Sequence, residues 1–208
     1  MQKHLQVPIQ LPYYTYGSLT PATKNIWMVC HGQGQLAEYF LKKFEVLDPR
    51  ENYIIAPQGL SKYYLGGFTG RVGASWMTKE DRLVEIENQS RYIDAVLEAE
   101  LGDAKPDMVL FGFSQGVATM MRYAAHAKLP IQKMILWAGT VPPELTREQV
   151  AHWPDFPCHF FLGDQDQFNH QGHFEKEREK LEWLLDQSVS VTLFPGKHEV
   201  FSELLIGL

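Results

Sequence analysis

The sequence predicts an α/β fold, namely a doubly wound and mostly parallel sheet with helices on both faces. Short apolar runs alternate with amphipathic stretches from about residue 26 onward. The runs are almost continuously hydrophobic, which is typical of parallel strands that are buried on both faces. Alternation of such strands with helices favours a doubly wound sheet, and 208 residues fit one domain spanning 1–208.

Five buried strands are predicted from the apolar runs. In chain order they are IWMVC (26–30), YIIAP (53–57), MVLFGF (108–113), KMILWAG (133–139) and HFFLG (159–163). A last segment, VSVTLF (189–194), alternates apolar and polar residues and therefore predicts a half-exposed edge strand. Residues 4–16 are expected to add one or two antiparallel strands at an edge of the sheet, where Pro8 and Pro12 are tolerated.

The stretches between the strands carry the spacing of amphipathic helices. Their apolar stripes are Leu36, Phe40, Phe44 and Leu47; Leu83, Ile86, Ile93 and Leu97; Val117, Met121 and Ala124; and Phe174, Leu181 and Leu184. Thr78 with Asp81 resembles a capping box ahead of the second stripe. No spare segment between these elements is long enough for a cap domain, so we expect an open site.

Composition and charge argue against several classes of partner. The formal net charge is −6 and no basic run occurs, so neither a nucleic acid nor an anionic membrane surface is indicated. No apolar run reaches the roughly 18 residues of a membrane-spanning helix, and the N-terminus lacks the apolar core of a secretory signal. Cys30 and Cys158 lie inside apolar runs, as buried thiols do, which favours a reducing, cytoplasmic location.

The motif GFSQG (112–116) stands where a buried strand passes directly into a helix. Such a sharp turn holds a serine in a strained conformation with its hydroxyl above the sheet, and the flanking glycines leave room for it. The helix directs its N-terminus at the site, which favours developing negative charge. Ser114 is therefore the predicted nucleophile, and the alternative is a serine that only caps a glycine-rich turn.

A serine hydroxyl needs a base before it becomes a nucleophile at neutral pH. The turn GFSQG resembles that of α/β-hydrolases, in which the acid and then the histidine follow the nucleophilic serine along the chain. The candidates beyond the next two strands are His170, His173 and His198. His198 is preferred because it lies just past the last strand, at the edge of the sheet where ligands bind. The alternative for His198 is a surface histidine at the start of a C-terminal helix.

The orienting acid is expected after the strand 159–163, where the sequence offers Asp164 and Asp166. Asp166 is preferred because its longer reach past Gly163 lets the carboxylate turn back toward the imidazole. Asp164 would then stabilise the turn through its own backbone bonds. Either aspartate could be the acid on the sequence alone.

An oxyanion intermediate needs backbone N–H donors. One donor is expected from Gln115, the residue after the nucleophile, and the other from Gln33 in the loop HGQGQ (31–35). Gly32 and Gly34 would let the backbone of that loop approach the substrate closely. The alternative is that these glycines only make a tight turn before a helix.

Aromatic residues near the predicted site are candidates for binding the substrate. The glycine-rich segment 60–76 carries Tyr63, Tyr64, Leu65, Phe68 and Trp76, of which Tyr64, Phe68 and Trp76 are the preferred candidates. Trp137 and Phe168, near the ends of other strands, are further candidates. Such side chains could form an acyl groove, and the glycines could let the loop move. The alternative is that most of these aromatic residues pack the loop onto the body of the protein.

Together these motifs resemble the phospholipase/carboxylesterase family of α/β-hydrolases, which includes small carboxylesterases and acyl-protein thioesterases. The resemblance rests on HGQG, GFSQG, GDQD and GKH in this order, with Ser75 and Trp76 in GASWM between the first two, and it extends from about Trp27 to the C-terminus. It implies Ser114, Asp166 and His198 as a catalytic triad. The chain departs from the family pattern after HGQG, where Gln35 replaces an acidic residue.

The main hypothesis is a serine hydrolase that cleaves carboxylic esters or thioesters through an acyl-enzyme on Ser114. A rival hypothesis is a catalytically silent protein of the α/β-hydrolase fold that binds a small ligand in the same pocket. No cofactor is required, and no metal is expected because HQGH (170–173) lacks the glutamate of H-E-x-x-H. The expected partner is a small-molecule acyl ester or thioester, and a homodimer is possible.

Overall fold

The computed structural model describes residues 1–127, 129–169 and 172–208. Its strands are β1 (Tyr13–Tyr16), β2 (Asn25–Cys30), β3 (Asn52–Pro57), β4 (Ser61–Tyr64), β5 (Val72–Ser75), β6 (Met108–Phe113), β7 (Ile131–Trp137), β8 (Cys158–Gly163) and β9 (Ser190–Phe194). Seven of them form one sheet in the order β1-β3-β2-β6-β7-β8-β9. Only β1 runs antiparallel to its neighbour, so the prediction of a mostly parallel sheet is confirmed.

Two segments differ from the predicted strands. Of residues 4–16, only Tyr13–Tyr16 form a strand, which pairs with β3 at the sheet edge. Pro8 and Pro12 lack an N–H for pairing, and residues 4–12 are without regular secondary structure. The segment 61–74, expected to be a loop, contains the hairpin of β4 and β5, which is a second, two-stranded sheet.

The helices are α1 (Ala37–Leu41), α2 (Arg82–Leu101), α3 (Gln115–Ala127), α4 (Arg147–Val150) and α5 (His173–Leu185), with short 3₁₀ helices at Lys42–Phe44 and Ser202–Leu205. Helices α2 to α5 contact one another in chain order, whereas α1 contacts β1 and β3 and the two 3₁₀ helices contact each other. The helices thus form two groups around the sheet. The first apolar stripe is not one continuous helix, because α1 passes into a 3₁₀ turn after Leu41.

The capping box predicted at Thr78 and Asp81 is absent. Helix α2 begins after Asp81, whose backbone is left-handed at φ 47° and whose side chain makes no capping bond. The backbone N–H of Thr78 instead donates to Glu85 Oε2 at 2.6 Å, so the helix side chain reaches back to the preceding loop. A true capping box occurs at Thr146 and Gln149, at the start of α4.

The central strands place their side chains in a dense aromatic and aliphatic core. Trp27, Trp76 and Trp137 are all fully buried, and the indole N–H of each donates a hydrogen bond within the protein. The strands β2, β6, β7 and β8 end along one edge of the sheet, as parallel strands must. None of the helices within the described ranges is long and apolar enough to cross a membrane.

Candidate active site

A cavity of about 820 Å³ opens at the carboxyl ends of the central strands. Its lining includes all five residues predicted to carry the chemistry, namely Ser114, Asp166, His198, Gln33 and Gln115. These residues come from four different loops that follow β2, β6, β8 and β9. The parallel sheet therefore brings distant parts of the sequence to one cavity.

Ser114 occupies the single residue between β6 and α3. Its φ of 53° lies in the left-handed region, which costs free energy for a residue with a side chain. The strained turn is held from below because the Ser114 N–H donates to the carbonyl of Trp137 at 2.8 Å. The helix α3 starts at Gln115, so its N-terminus faces the serine.

The two glycines of GFSQG are required by close backbone contacts. A Cβ at Gly116 would overlap the carbonyl of Cys30 at the end of β2, which places the helix α3 directly against that strand. A Cβ at Gly112 would lie 2.5 Å from the Cα of Val117, one turn into α3. The tight strand-to-helix turn at Ser114 therefore depends on the absence of both side chains.

Asp166 and His198 form a hydrogen-bonded pair in the cavity. Oδ2 of Asp166 lies 2.7 Å from Nδ1 of His198, and the two side chains are 1% and 18% exposed, respectively. The other carboxylate oxygen accepts the backbone N–H of Phe168 at 2.8 Å. Both oxygens are thus bonded, so the carboxylate has a fixed orientation and Nε2 of the imidazole is left for a second partner.

Asp164 has a different neighbour. Its Oδ1 accepts the backbone N–H of Gly196 at 3.0 Å, so it ties the turn after β8 to the loop after β9. The N–H of Gln165 donates to the Gly196 carbonyl at 2.8 Å in the same contact. A Cβ at Gly163 would overlap the carbonyls of Gly196 and Lys197, so the two loops are packed backbone to backbone.

Trp137 holds the loop after β9, which carries His198. Its indole N–H donates to the carbonyl of Glu199, the residue after His198, at 2.7 Å. The ring is fully buried and stacks on Phe161 with centroids 4.5 Å apart. Trp137, predicted as a substrate-binding residue, has no ring surface open to the cavity, and its indole instead supports the loop that carries His198.

Ser114 and His198 line the same cavity without a hydrogen bond between their side chains. The His198 ring packs against Phe113 and Phe168, with centroids 4.9 and 4.6 Å away. The fold therefore brings Ser114, Asp166 and His198 together at one cavity.

His31 anchors the loop that carries Gln33. Its Nε2 accepts the backbone N–H of Gly59 at 2.9 Å, so Nδ1 carries the proton and donates to the carbonyl of Gly32 at 2.8 Å. This pattern requires a neutral ring, and burial lowers the pKa of His31 to about 4. The carbonyl of His31 in turn accepts the indole N–H of Trp76 at 2.8 Å.

Gln115 has a side-chain role that the sequence analysis did not identify. Its amide group donates to the carbonyl of Met77 at 2.8 Å and accepts the backbone N–H of Trp76 at 2.9 Å. A further bond joins it to the Ser75 hydroxyl. Among the described residues, the backbone N–H groups of Gln33 and Gln115 have no acceptor.

Of the aromatic residues predicted to bind substrate, some line the cavity and others do not. Phe168 lines the cavity, but Trp76 is fully buried and packs against His31 with ring centroids 4.9 Å apart, so it has no surface open to the cavity. Tyr64 and Phe68 are exposed and lie outside the cavity lining.

The hairpin instead contributes Tyr63 and Leu65 to the lining. Side chains along a strand alternate in direction, so these two share a side of the hairpin that Tyr64 does not. This alternation explains why Tyr63 lines the cavity and Tyr64 does not. Of the alternative bases, His173 lines the cavity at the start of α5, whereas His170 lies outside the described residues.

A family model described as Phospholipase/Carboxylesterase matches residues 19–206. The chain belongs to this family. Comparison with curated proteins gives no significant match. The resemblance seen in the sequence is thereby confirmed at the level of the family, and phospholipase/carboxylesterase proteins are hydrolases.

Solved structures show the same fold at low sequence identity. Acyl-protein thioesterase 2 of Zea mays has a TM-score of 0.69 and 18% identity, with 94% of this chain and 95% of that chain covered. Esterase PE8 has a TM-score of 0.67 and 19% identity, with 95% and 96% covered. The carboxylesterase of Bacillus cereus has a TM-score of 0.62 and 13% identity, with 91% of this chain and 87% of that chain covered. The α/β-hydrolase fold without a cap domain is therefore confirmed.

His31 predicts a loss of stability on acidification. A histidine that titrates at 6.5 in the unfolded chain and at about 4 in the folded protein binds more protons when unfolded across this range. The resulting stability is fully present above pH 6.5 and is lost as the pH falls toward 4, by roughly 3 kcal/mol. Urea unfolding at several pH values measures it. In His31→Asn, the free energy of unfolding should depend less on pH than in the wild type. His126→Asn, a change at an exposed histidine, should keep the pH dependence of the wild type.

Trp137→Phe should disturb the histidine loop while preserving the stacked ring. Loss of the N–H leaves the Glu199 carbonyl unsatisfied and should lower the free energy of unfolding by about 1–3 kcal/mol. Trp27→Phe is the matched control, because its indole donates to Asn52 Oδ1 at 3.0 Å, in a different part of the core. Nitrogen NMR of the His198 ring should change only in Trp137→Phe. Equal changes in both variants would contradict the support assigned to Trp137.

Proposed function

We propose that the protein is a serine hydrolase of carboxylic esters or thioesters. The observation that carries this proposal is the Asp166–His198 pair, bonded at 2.7 Å and opening on the same cavity as the strained Ser114. A binding protein would need a cavity, but it would not need a buried carboxylate aligned on a histidine next to a strained serine.

The mechanism follows from the chemistry of these groups. Ser114 Oγ attacks the carbonyl carbon of the substrate, and Nε2 of His198 takes the hydroxyl proton. The carboxylate of Asp166 holds the imidazole and stabilises its positive charge. His198 then gives the proton to the departing alcohol or thiol, which leaves an acyl group on Ser114.

The negative charge of the tetrahedral intermediate needs fixed donors. The backbone N–H groups of Gln33 and Gln115 supply them, with the N-terminus of α3 adding favourable potential. Water, activated by His198, next attacks the acyl-enzyme, and the acid product leaves with Ser114 regenerated. All of these steps use side chains and backbone of the protein, and none of them requires a cofactor.

A small acyl compound fits the size of the cavity. A volume of about 820 Å³ lies within the range of ordinary small-molecule sites. Tyr63, Leu65 and Phe168 supply apolar surface next to the nucleophile, and their hairpin and loop leave one side open to solvent. We therefore propose that these three side chains contact the acyl chain or the leaving group.

Ser114→Ala is expected to abolish hydrolysis of p-nitrophenyl esters. Loss of the nucleophile should reduce kcat by about four to six orders of magnitude, because the acyl-enzyme can no longer form. Initial rates across acyl chains from acetate to palmitate measure this, and the optimum chain length sizes the groove. Ser18→Ala, at an exposed serine, is the control and should retain wild-type rates. An active Ser114→Ala, or a wild type that binds esters without hydrolysing them or reacting with a fluorophosphonate, would refute the proposal.

Asp166→Asn and Asp164→Asn separate the two aspartates. The amide at 166 cannot stabilise the imidazolium, so kcat should fall by about three to four orders of magnitude. The amide at 164 retains an oxygen for the Gly196 N–H and should change kcat by less than about fivefold. Steady-state kinetics on the same ester compare the two. If Asp164→Asn lowered kcat more than Asp166→Asn does, Asp164 would be the orienting acid.

A further inference from the structure

The cavity beside Ser114 has a wall formed by the start of α5. His173 and Glu177 both line it, and their spacing of four residues places them on the same face of the helix. Glu177 is half-buried and accepts the backbone N–H of Val141 at 2.6 Å through Oε2. Lys180 donates to the carbonyl of Val141 at 2.8 Å. These bonds fix α5 against the segment after β7 and hold the carboxylate of Glu177 at a defined place.

The fixed charges that line this cavity are acidic, and the nearby Lys180, bonded to the Val141 carbonyl, is not among the lining residues. None of its described lining residues is a lysine or an arginine, and the carboxylates among them are Asp166 and Glu177. Asp166 is bonded through both oxygens to His198 and to the backbone of Phe168. Glu177 makes one hydrogen bond among the described residues, which leaves Oε1 available to a ligand. The N-terminus of α5 offsets only about half of a unit charge.

Aromatic rings line the same cavity. Phe168 is 58% exposed and Tyr63 is 37% exposed, so each ring presents surface to a ligand, and Phe174 lies beside the α5 wall. Aromatic faces attract cations, and a carboxylate adds direct charge pairing. An uncharged acyl chain would use the rings but would desolvate the carboxylate without a bond in return, which is unfavourable.

We propose that the substrate carries a cationic group, such as an ammonium or a substituted ammonium, which Glu177 holds within the cavity beside Ser114. The inference rests on the proposed hydrolase function and adds the class of substrate to it. Glu177 takes no part in bond making or breaking. It determines specificity, by lowering KM for cationic esters relative to neutral esters of the same shape.

Isosteric ester pairs test this proposal. One pair is butyrylcholine and 3,3-dimethylbutyl butyrate, which places the charge on the alcohol side. The other is the p-nitrophenyl ester of 4-trimethylammoniobutyrate and that of 5,5-dimethylhexanoate, which places it on the acyl side. In the wild type at pH 8, kcat/KM should favour the cationic member of at least one pair. Glu177→Gln should reduce this preference by about five- to tenfold, mainly through KM.

Glu177→Gln keeps an oxygen for the Val141 N–H, so the α5 wall should remain in place. Glu179→Gln, an exposed change on the same helix, is the matched control and should keep the wild-type preference. Independently of any variant, salt at about 0.5 M should weaken the wild-type preference through screening. Hydrolysis of neutral esters with no cationic preference, or with a preference that Glu177→Gln does not reduce, would overturn the inference and leave the hydrolase function intact. Failure to hydrolyse any of these esters would overturn both.

Discussion

The strained turn at Ser114 is the constraint on which the rest of the site depends. A residue with a side chain has a positive φ there, and β2, β6 and α3 approach so closely that both flanking positions must be glycine. The N–H of Ser114 bonds to the carbonyl of Trp137, so the neighbouring strand β7 also holds the turn. Packing of the central sheet offsets the unfavourable backbone conformation of Ser114. As a result, the Ser114 hydroxyl stands above the edge of the sheet.

Positions of the other functional groups follow from backbone contacts between loops. The turn after β8 and the loop after β9 are bonded through Asp164 and Gly196, and Trp137 secures the latter loop from inside the core. The loop after β2 is held by a neutral, buried His31. The candidate functional residues therefore lie in loops, and hydrogen bonds to other parts of the fold hold these loops in place. Rigid placement of this kind is what transition-state stabilisation requires.

The sheet was predictable because buried parallel strands leave a strong signal of short, continuous apolar runs. The serine was predictable because few arrangements need glycine at both 112 and 116 around a strand-to-helix junction. The roles of Trp76 and Trp137 were not predictable, because a tryptophan near a strand end can point into the core or toward the rim with the same sequence pattern. Which of the adjacent residues Tyr63 and Tyr64 lines the cavity was not predictable for a related reason, since the register of the hairpin decides it.

The hairpin of β4 and β5 is joined to the body at its base, where β5 ends. Ala74 exchanges backbone bonds with the loop after β2, and Ser75 bonds to the side chain of Gln115. The tip between Leu65 and Arg71 consists of five exposed residues, of which three are glycines and one is Phe68, which is 95% exposed. Changes in the length or sequence of this tip should therefore leave the central sheet, and with it the positions of Ser114, Asp166 and His198, unaltered.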